Sequence, residues 1–236
     1  MGLLTILHQD HDIVVINKPS ALLVHRNRQA RDHVFALQLL RDQLGHFVYP
    51  VHRLDRATSG VLLFAKSSEI AAKLVESFTA RKVSKTYHAV VRGYTDEEGL
   101  IDHPLAESSD DEAKEARTRF RRLATAEIDE PIDPHDSIRI SLLEAFPETG
   151  RMHQLRKHFK HISHPILGDT TYGKGPYNRF LRDRFFLNRL MLHASELSFP
   201  HPATGNKTTI SAPTPPEFRP FFNEMGWSAH IHTENA

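Results

Sequence analysis

The sequence predicts an α+β protein with a mainly antiparallel sheet and flanking helices. Short apolar runs are separated by tight turns, as at residues 9–12 and 202–206, which is typical of hairpins. Two other segments, at 34–44 and 152–162, carry apolar residues at three- and four-residue spacing, which is typical of amphipathic helices. Strands and helices do not alternate regularly, and this disfavours a doubly wound parallel sheet.

The first fifth of the chain predicts a hairpin followed by a helix. Residues 3–7 form an apolar run, residues 9–12 a turn, and Ile13–Ile16 a strand that stops before a proline. Between His33 and Gly45 an amphipathic stripe predicts a helix that ends at the glycine. The members of that stripe are Val34, Leu37, Leu40 and Leu44.

Residues 61–91 predict a strand, a helix and a second strand. Residues 61–65 are a short apolar run, and Ser67 or Ser68 is a suitable cap for the following helix. The apolar face of this helix holds Ile70, Leu74 and Phe78. Residues 86–91 alternate and are rich in strand-forming residues.

The remaining elements follow an acidic segment at residues 96–136, whose ends we interpret as loop or insertion. Alternation predicts strands at 138–142, 190–199 and 207–212. A helical stripe precedes the last two of these strands. Its members are Met152, Leu155, Phe159 and Ile162.

Composition bounds the class of protein. The chain has 236 residues, 25% of them charged, and it contains no cysteine, which excludes disulfides and thiolate metal sites. No apolar stretch approaches the roughly 18 residues that span a bilayer, and the first residues do not resemble a signal peptide. We therefore expect a cytoplasmic protein with one domain at residues 1–226 and a carboxy-terminal tail at 227–236.

Charge is distributed unevenly although the net charge is only +1. Residues 95–150 contain 16 acidic and 6 basic residues, whereas residues 151–200 contain 9 basic and 3 acidic ones. A basic segment of this kind is either a phosphate-contacting surface or a solvated helix face, and charge alone does not decide between them.

The densest polar stretch is His52–Gly60, in which Asp55 lies between Arg53 and Arg56. Arginines close to a carboxylate favour its ionised form, as a catalytic carboxylate requires. The alternative is a turn held by an Asp–Arg pair, with Thr58 and Ser59 capping backbone groups.

Two further stretches carry candidate residues. At Glu148–His158 a helix begins after a glycine, and Arg156 lies at the edge of its apolar stripe, where it either reaches a carboxylate or solvates the helix. At Lys85–Val91 the strand carries Tyr87, which is either a core residue or a platform on which a base stacks.

Seventeen histidines raise the question of a metal site. The sequence contains no H-E-x-x-H motif and no thiolate, so we expect no metal. His158, His161 and His164 recur every three residues, and we interpret them either as an RNA-facing surface or as an ordinary polar face.

Six motifs taken together resemble the RluA family of pseudouridine synthases. They appear in the family's order and extend over nearly the whole chain. They are N-K-P-S-x-L-L-V-H at 17–25, H-R-L-D-x-x-T-S-G at 52–60, K-x-Y-x-A-x-V at 85–91, G-R-x-H-Q-L-R at 150–156, H-P-I-L-G-D at 164–169 and L-H-A-x-x-L-x-F-x-H-P-x-T-G at 192–205. Departures from the usual wording, such as Ala57 and Met152, do not affect a proposed catalytic group.

The resemblance implies the pseudouridine synthase fold with a central cleft, no cofactor, and no amino-terminal S4 domain. It implies that Asp55 is the essential carboxylate, that Arg156 orients it, and that Tyr87 lies against the uracil ring. Arg53 is the candidate to fill the stack that an extruded uridine leaves, and Leu192 is the candidate for an apolar pocket wall. The other expected RNA-binding residues are His52, Arg151, His153 and Lys157.

Within the family, the likeness is greatest to members that modify tRNA, at the uridine in position 65. We therefore expect an RNA substrate, with tRNA ranked before ribosomal RNA, and a monomeric enzyme. Two rival interpretations are an RNA-binding protein of this fold that has lost catalysis and a histidine-rich metallohydrolase that acts on phosphoesters.

Overall fold

The computed structural model describes residues 2–26, 34–108, 110–132 and 136–233. It groups them into two compact units. The first unit comprises Met1–Lys85 and Ala194–Ala212, and the second comprises Thr86–His193 and Pro213–Ala236. Among the described residues, no helix combines the length and the apolar character needed to cross a bilayer.

The first unit begins with the predicted hairpin. Strands β1 (Thr5–Gln9) and β2 (Ile13–Lys18) pair antiparallel around a turn that the Asp10 carboxylate stabilises by accepting the N–H groups of Asp12 and Ile13. β2 pairs antiparallel with β4 (Ser59–Ala65), which also pairs with the two-residue strand β3 (Tyr49–Pro50). Every residue of β4 is buried, because both faces of this strand are covered.

Two helices of the first unit match their predictions. Helix α1 (Ala36–Leu44) ends at Gly45, whose φ of 73° is the left-handed conformation that favours glycine. The predicted helix was placed from His33, a residue that lies outside the described ones. Helix α2 (Ser68–Thr79) is capped by Ser67, whose side chain accepts the N–H of Ile70 at 3.2 Å. Its buried face joins a core that includes Ile13, Val15, Leu63, Leu74 and Phe199.

Among the described residues of the second unit, four neighbouring strands pair antiparallel. In sheet order they are β5 (Ser84–Arg92), β8 (Ile138–Pro147), β7 (Arg117–Ile128) and β6 (Glu98–Asp102). Of β5, the part from Thr86 onward belongs to the second unit. The interpretation of the amino-terminal end of 96–136 as loop is wrong at β6, which pairs with β7 through its backbone although only Ile101 is buried. Ser109 and residues 133–135 of that segment lie outside the described residues.

The other elements of the second unit are helical. Helix α3 (Gln154–His161) matches the predicted stripe, and Phe159 packs edge-on against Phe120 of β7 with ring centroids 5.9 Å apart. Helices α4 (Gly175–Phe185) and α5 (Arg219–Glu224) were not predicted. Trp227, which the sequence analysis assigned to the tail, is 3% exposed and packs against Phe221 and Phe222.

Two strands close the first unit. The Ala194–Pro200 part of β9 (Leu192–Pro200) neighbours β4, and β10 (Lys207–Ser211) pairs antiparallel with β9. Gly60, the second residue of β4, lies so close to β9 that an added Cβ would come 2.1 Å from the carbonyl oxygen of Ala194. Its φ of 114° is also a conformation that other residues rarely adopt.

Gly60→Ala is therefore expected to lower the free energy of unfolding by more than about 3 kcal/mol, because backbone strain and a backbone clash act together. Gly45→Ala is the matched control: its φ is 73° but the space around it is open, so we expect a loss of about 1 kcal/mol. Urea unfolding of the two variants measures the difference. Equal losses of unfolding free energy would show that the β9 backbone moves to accommodate the new methyl group.

Candidate active site

Asp55 lies in the loop that joins β3 to β4. The loop ends in a turn in which the N–H of Thr58 donates to the carbonyl oxygen of Asp55 at 3.1 Å. Thr58 and Ser59 are buried, Asp55 is half-buried and Arg53 is exposed. This hydrogen bond uses the backbone carbonyl of Asp55 and not its side chain.

The N-K-P-S segment holds this loop from the other side. Lys18 is fully buried, and its Nζ donates to the carbonyl oxygens of Pro19 at 2.8 Å, Leu22 at 2.7 Å and Arg56 at 3.3 Å. The hydroxyl of Ser20 donates to the carbonyl oxygen of Ala57 at 2.8 Å. Because a buried ammonium group requires such partners, Lys18 fixes the backbone of Arg56, and Ser20 fixes that of Ala57. The sequence analysis quoted this motif but assigned Lys18 no role.

His52, predicted to contact RNA, supports the same loop in the structure. Its Nε2 accepts the N–H of Leu63 at 3.0 Å, and its ring stacks on Phe78 with centroids 4.9 Å apart. Burial, and after it the charge of Lys85, lowers the pKa of His52 from 6.5 to about 3. The imidazole is therefore neutral at pH 7, with its proton on Nδ1.

This pKa predicts how stability depends on pH. Since the pKa of His52 is lower in the folded state, its contribution to stability is complete above pH 6.5 and is lost as the pH falls toward 3. From pH 7 to pH 5 the loss is about 2 kcal/mol. His52→Gln retains an acceptor for Leu63 but does not titrate, so urea unfolding should show a smaller decline for the variant. Parallel declines would contradict the assigned pKa.

In the second unit, Gln154 organises the start of α3. Its Oε1 accepts the hydroxyl of Thr149 at 2.7 Å and the N–H of Arg151 at 3.0 Å. Its Nε2 donates to the carbonyl oxygen of Arg117 at 2.9 Å and the hydroxyl of Thr118 at 3.0 Å. All four hydrogen bonds of this buried amide are thus made, and they fix the loop that leads into the helix.

Arg156 forms a buried, bidentate pair with Asp169. Its Nε donates to Asp169 Oδ2 at 2.7 Å and its Nη2 to Oδ1 at 2.9 Å, while the guanidinium lies 5.0 Å from the centre of the Tyr172 ring. Burial alone would raise the pKa of Asp169, but the hydrogen bonds from Arg156 and from the N–H groups of Tyr172 and Thr171 outweigh it, and the pKa is lowered. Asp169 therefore holds Arg156 in one orientation.

Asp169 is a residue that the sequence analysis missed. It is the last residue of the H-P-I-L-G-D motif, and the preceding Gly168 passes so close to the carbonyl oxygen of Arg189 that a Cβ would lie 1.9 Å from it. The motif itself was the available signal. Only the three-dimensional structure shows that its aspartate pairs with an arginine 13 positions away.

Tyr87 and Leu192 lie on strands. Tyr87 is half-buried on β5, opposite Ala145 of β8. Leu192, the first residue of β9, is 2% exposed. Both placements are compatible with the predicted contacts to the uracil ring, and those contacts stay a prediction.

The three basic residues expected to bind RNA near α3 also make contacts within the protein. Arg151 donates from Nε to the carbonyl oxygen of Glu115 at 3.0 Å, and Lys157 donates to that of Ala106 at 2.6 Å. His153 has its Nδ1 3.0 Å from the hydroxyl of Tyr172. A phosphate would therefore have to share these side chains with their present partners.

The interpretation of His158 as a surface residue is wrong. Its side chain is fully buried, with Nδ1 2.9 Å from the hydroxyl of Thr118 and Nε2 3.0 Å from the carbonyl oxygen of His103. Burial lowers its pKa, so the residue adds no positive charge. His164 lies beyond the end of α3 and approaches the carbonyl oxygen of Arg92 at 2.7 Å through Nδ1.

One group among the described residues has the donor atoms for a metal ion, namely Asp10, Asp12 and His201. His201 directs Nδ1 at the N–H groups of Ala203 and Thr204, at 3.3 and 3.4 Å, so Nδ1 is an acceptor and Nε2 carries the proton. Nε2 then donates to Asp10 at 3.0 Å. A metal ligand needs the opposite tautomer, and the group therefore fits a hydrogen-bonded clamp better than a metal site.

The comparisons with known proteins decide the family. The profile of the RNA pseudouridylate synthases matches residues 12–161, which include Asp55, Tyr87 and Arg156. The chain belongs to this family. Its fold is also that of a solved pseudouridine synthase relative, the human RNA pseudouridylate synthase domain containing 1, with a TM-score of 0.72, 26% identity, and coverage of 98% of this chain and 91% of the human one.

Curated pseudouridine synthases resemble the chain over nearly its whole length. The tRNA pseudouridine synthase C of Vibrio cholerae is 44% identical over 97% of this chain and 98% of its own. The enzyme of the same name from Haemophilus ducreyi is 46% identical over 95% of this chain and 96% of its own. The predictions of an α+β pseudouridine synthase fold and of a pseudouridine synthase activity are thereby confirmed.

Proposed function

We propose that this pseudouridine synthase acts on tRNA and converts a single uridine, at position 65, to pseudouridine. The observation that carries the proposal is the similarity, above 40% identity and almost end to end, to the two bacterial tRNA pseudouridine synthases C. The position follows from the resemblance of Val24–Arg26, Leu40–Arg56 and Tyr87–Gly93 to the branch that modifies it. The protein works on tRNA in the cytoplasm as a monomer.

Asp55 is the proposed catalytic carboxylate. The reaction breaks the N1–C1′ bond, turns the uracil, and joins C5 to C1′ with loss of the C5 proton. A single carboxylate serves it, as the nucleophile at C1′ or as the base that removes a ribose proton, whereas glycoside hydrolysis uses two. The support for Asp55 is its half-buried place in a loop that Lys18, Ser20 and His52 hold by three hydrogen bonds.

Tyr87 and Arg156 are proposed to serve the same reaction. Tyr87 lies against the uracil ring and assists the removal of the C5 proton. Arg156 favours the ionised form of the catalytic carboxylate and orients it. Asp169 is a positioning residue, because it holds the guanidinium through two hydrogen bonds of 2.7 and 2.9 Å.

RNA binding is assigned to a further set of residues. Arg53 is exposed and fills the stack that the uridine vacates, and Leu192 forms an apolar wall for the base. Arg151, His153 and Lys157 contact the backbone, and binding should therefore weaken as the salt concentration rises.

Mapping of pseudouridine after carbodiimide treatment tests the substrate. A tRNA transcript with uridine at position 65 should acquire one carbodiimide-dependent stop there, and a transcript with cytidine at 65 should acquire none. Ribosomal RNA transcripts are the second substrate. Carbodiimide-dependent stops in ribosomal RNA but not in tRNA would show that ribosomal RNA is the substrate. Stops in neither RNA would favour an RNA-binding protein without activity.

A further inference from the structure

A cavity of about 500 Å³ opens in the first unit beside α1, and its lining includes none of the residues assigned to catalysis. One wall is the segment that follows the N-K-P-S motif. It is fixed to the start of α1 because Ala36 and Leu37 donate their N–H groups to the carbonyl oxygens of Leu23 and Val24 at 2.8 and 2.9 Å. The opposite wall is the connection from α1 to β3. A volume of this size suits a small ligand or a single nucleotide.

Aromatic rings line this cavity. Phe47 is 72% exposed, while Phe35 is 9% exposed and belongs to the buried part of the lining. An exposed phenylalanine beside basic residues offers a face on which an unpaired base can stack.

The polar lining complements a nucleotide. His25 has its Nδ1 buried and without a hydrogen-bond partner among the described residues, although a buried ring nitrogen normally has one. Arg26 is exposed at the rim. Arg41 donates from Nε and Nη2 to the carboxylate of Asp42 at 2.9 and 2.7 Å, so its charge is partly neutralised and Arg26 is the main cation.

We propose that this cavity is a subsite for an unpaired or extruded nucleotide of the substrate RNA, separate from the target uridine. The base stacks on Phe47 and its phosphate contacts Arg26, while His25 contributes to the polar lining. Phe47 precedes Asp55 by eight residues, so their Cα atoms are within about 29 Å, a distance that one RNA molecule can bridge. The inference rests on the proposed RNA substrate and adds a determinant of which RNA is chosen.

Photo-crosslinking tests the location directly. p-Azidophenylalanine replaces Phe47 in an Asp55→Asn background, which is intended to hold the tRNA without turning it over. Phe186, on the second unit, is 89% exposed and provides the matched control position. We expect cross-links to tRNA at position 47 and few at 186. Equal yields at the two positions, or cross-links between two protein chains at 47, would overturn the proposal.

Affinity measurements test the chemistry. Phe47→Ala should weaken tRNA binding roughly 5- to 100-fold, the effect of removing one stacking ring, whereas Phe186→Ala should not change it. Arg26→Gln should reduce the slope of log affinity against log salt by roughly 0.7–0.9, the value for one phosphate contact. In turnover, Phe47→Ala should raise KM and leave kcat unchanged at saturating tRNA.

The failure of this inference is distinguishable from the failure of the proposed function. If the wild-type protein modifies tRNA and the Phe47→Ala and Arg26→Gln variants behave identically to it, only the proposed subsite is contradicted. If the wild-type protein modifies no tRNA, the proposed substrate is contradicted, and so is the subsite that rests on it. Thermal unfolding of each variant should match wild type, because both substituted side chains are exposed.

Discussion

Asp55→Asn is expected to lower the rate of pseudouridine formation by more than about a thousandfold, or about 4 kcal/mol of transition-state stabilisation. Asparagine has nearly the same shape but is neither a nucleophile nor a base. The turn should survive, because Thr58 bonds to the backbone carbonyl of Asp55 and Lys18 to that of Arg56. The measurement is the single-turnover rate on tRNA, together with thermal unfolding of the variant.

Asp96→Asn is the control for this substitution, since it removes one negative charge from an exposed aspartate of the acidic segment. It should retain the wild-type rate. A folded Asp55→Asn protein with more than a tenth of the wild-type rate would show that another group performs the chemistry.

Asp169→Asn is expected to lower the free energy of unfolding by about 3–5 kcal/mol, because it removes the negative charge that the buried Arg156 guanidinium faces in the bidentate pair. Arg156 is only 6% exposed and Asp169 only 1%. Asp183→Asn is the matched control, since Asp183 pairs with Arg182 at 3.1 Å on an exposed face of α4 and should cost less than about 1 kcal/mol.

A double-mutant cycle with Arg156→Met and Asp169→Leu separates the pair from its surroundings. The double substitution should destabilise the protein by less than the sum of the two single substitutions, because each single one leaves one charge of the pair buried and the double one leaves neither. Additive effects would contradict the assignment of Asp169 as the residue that holds Arg156. Activity should fall in Asp169→Asn even at temperatures where the protein is fully folded, since Arg156 would lose its fixed orientation.

Elements with local signals were predicted correctly from the sequence. Helix α1 has a regular apolar stripe and a glycine that ends it, and α2 has a capping serine, so both are encoded within a dozen residues. Helix α4 was missed because its buried face consists of Tyr177 and Leu181 among arginines and aromatics. β6 was missed because it is held by backbone pairing with β7, and that pairing leaves no signal in the composition of β6 itself.

The catalytic candidates and the residues that support them also differed in whether the sequence predicted them. Asp55 was predictable because its neighbours in the chain form a motif. The supports depend on residues distant in sequence: Lys18 reaches Arg56 across 38 positions, and His158 reaches Thr118 across 40. From the sequence alone, a buried polar side chain is taken for a surface residue, because its hydrogen-bond partners are not known. For this reason His158 was assigned to the surface, and Lys18 and Asp169 received no role.

Tritium release from tRNA that carries C5-labelled uridine tests the central claim most directly, because each uridine converted loses its C5 hydrogen. Wild type should release tritium to a plateau of about one equivalent per tRNA molecule, the stoichiometry of a single modified position under the reaction described above. No release from tRNA, with the protein folded and bound to it, would contradict the claim that this chain isomerises uridine in tRNA.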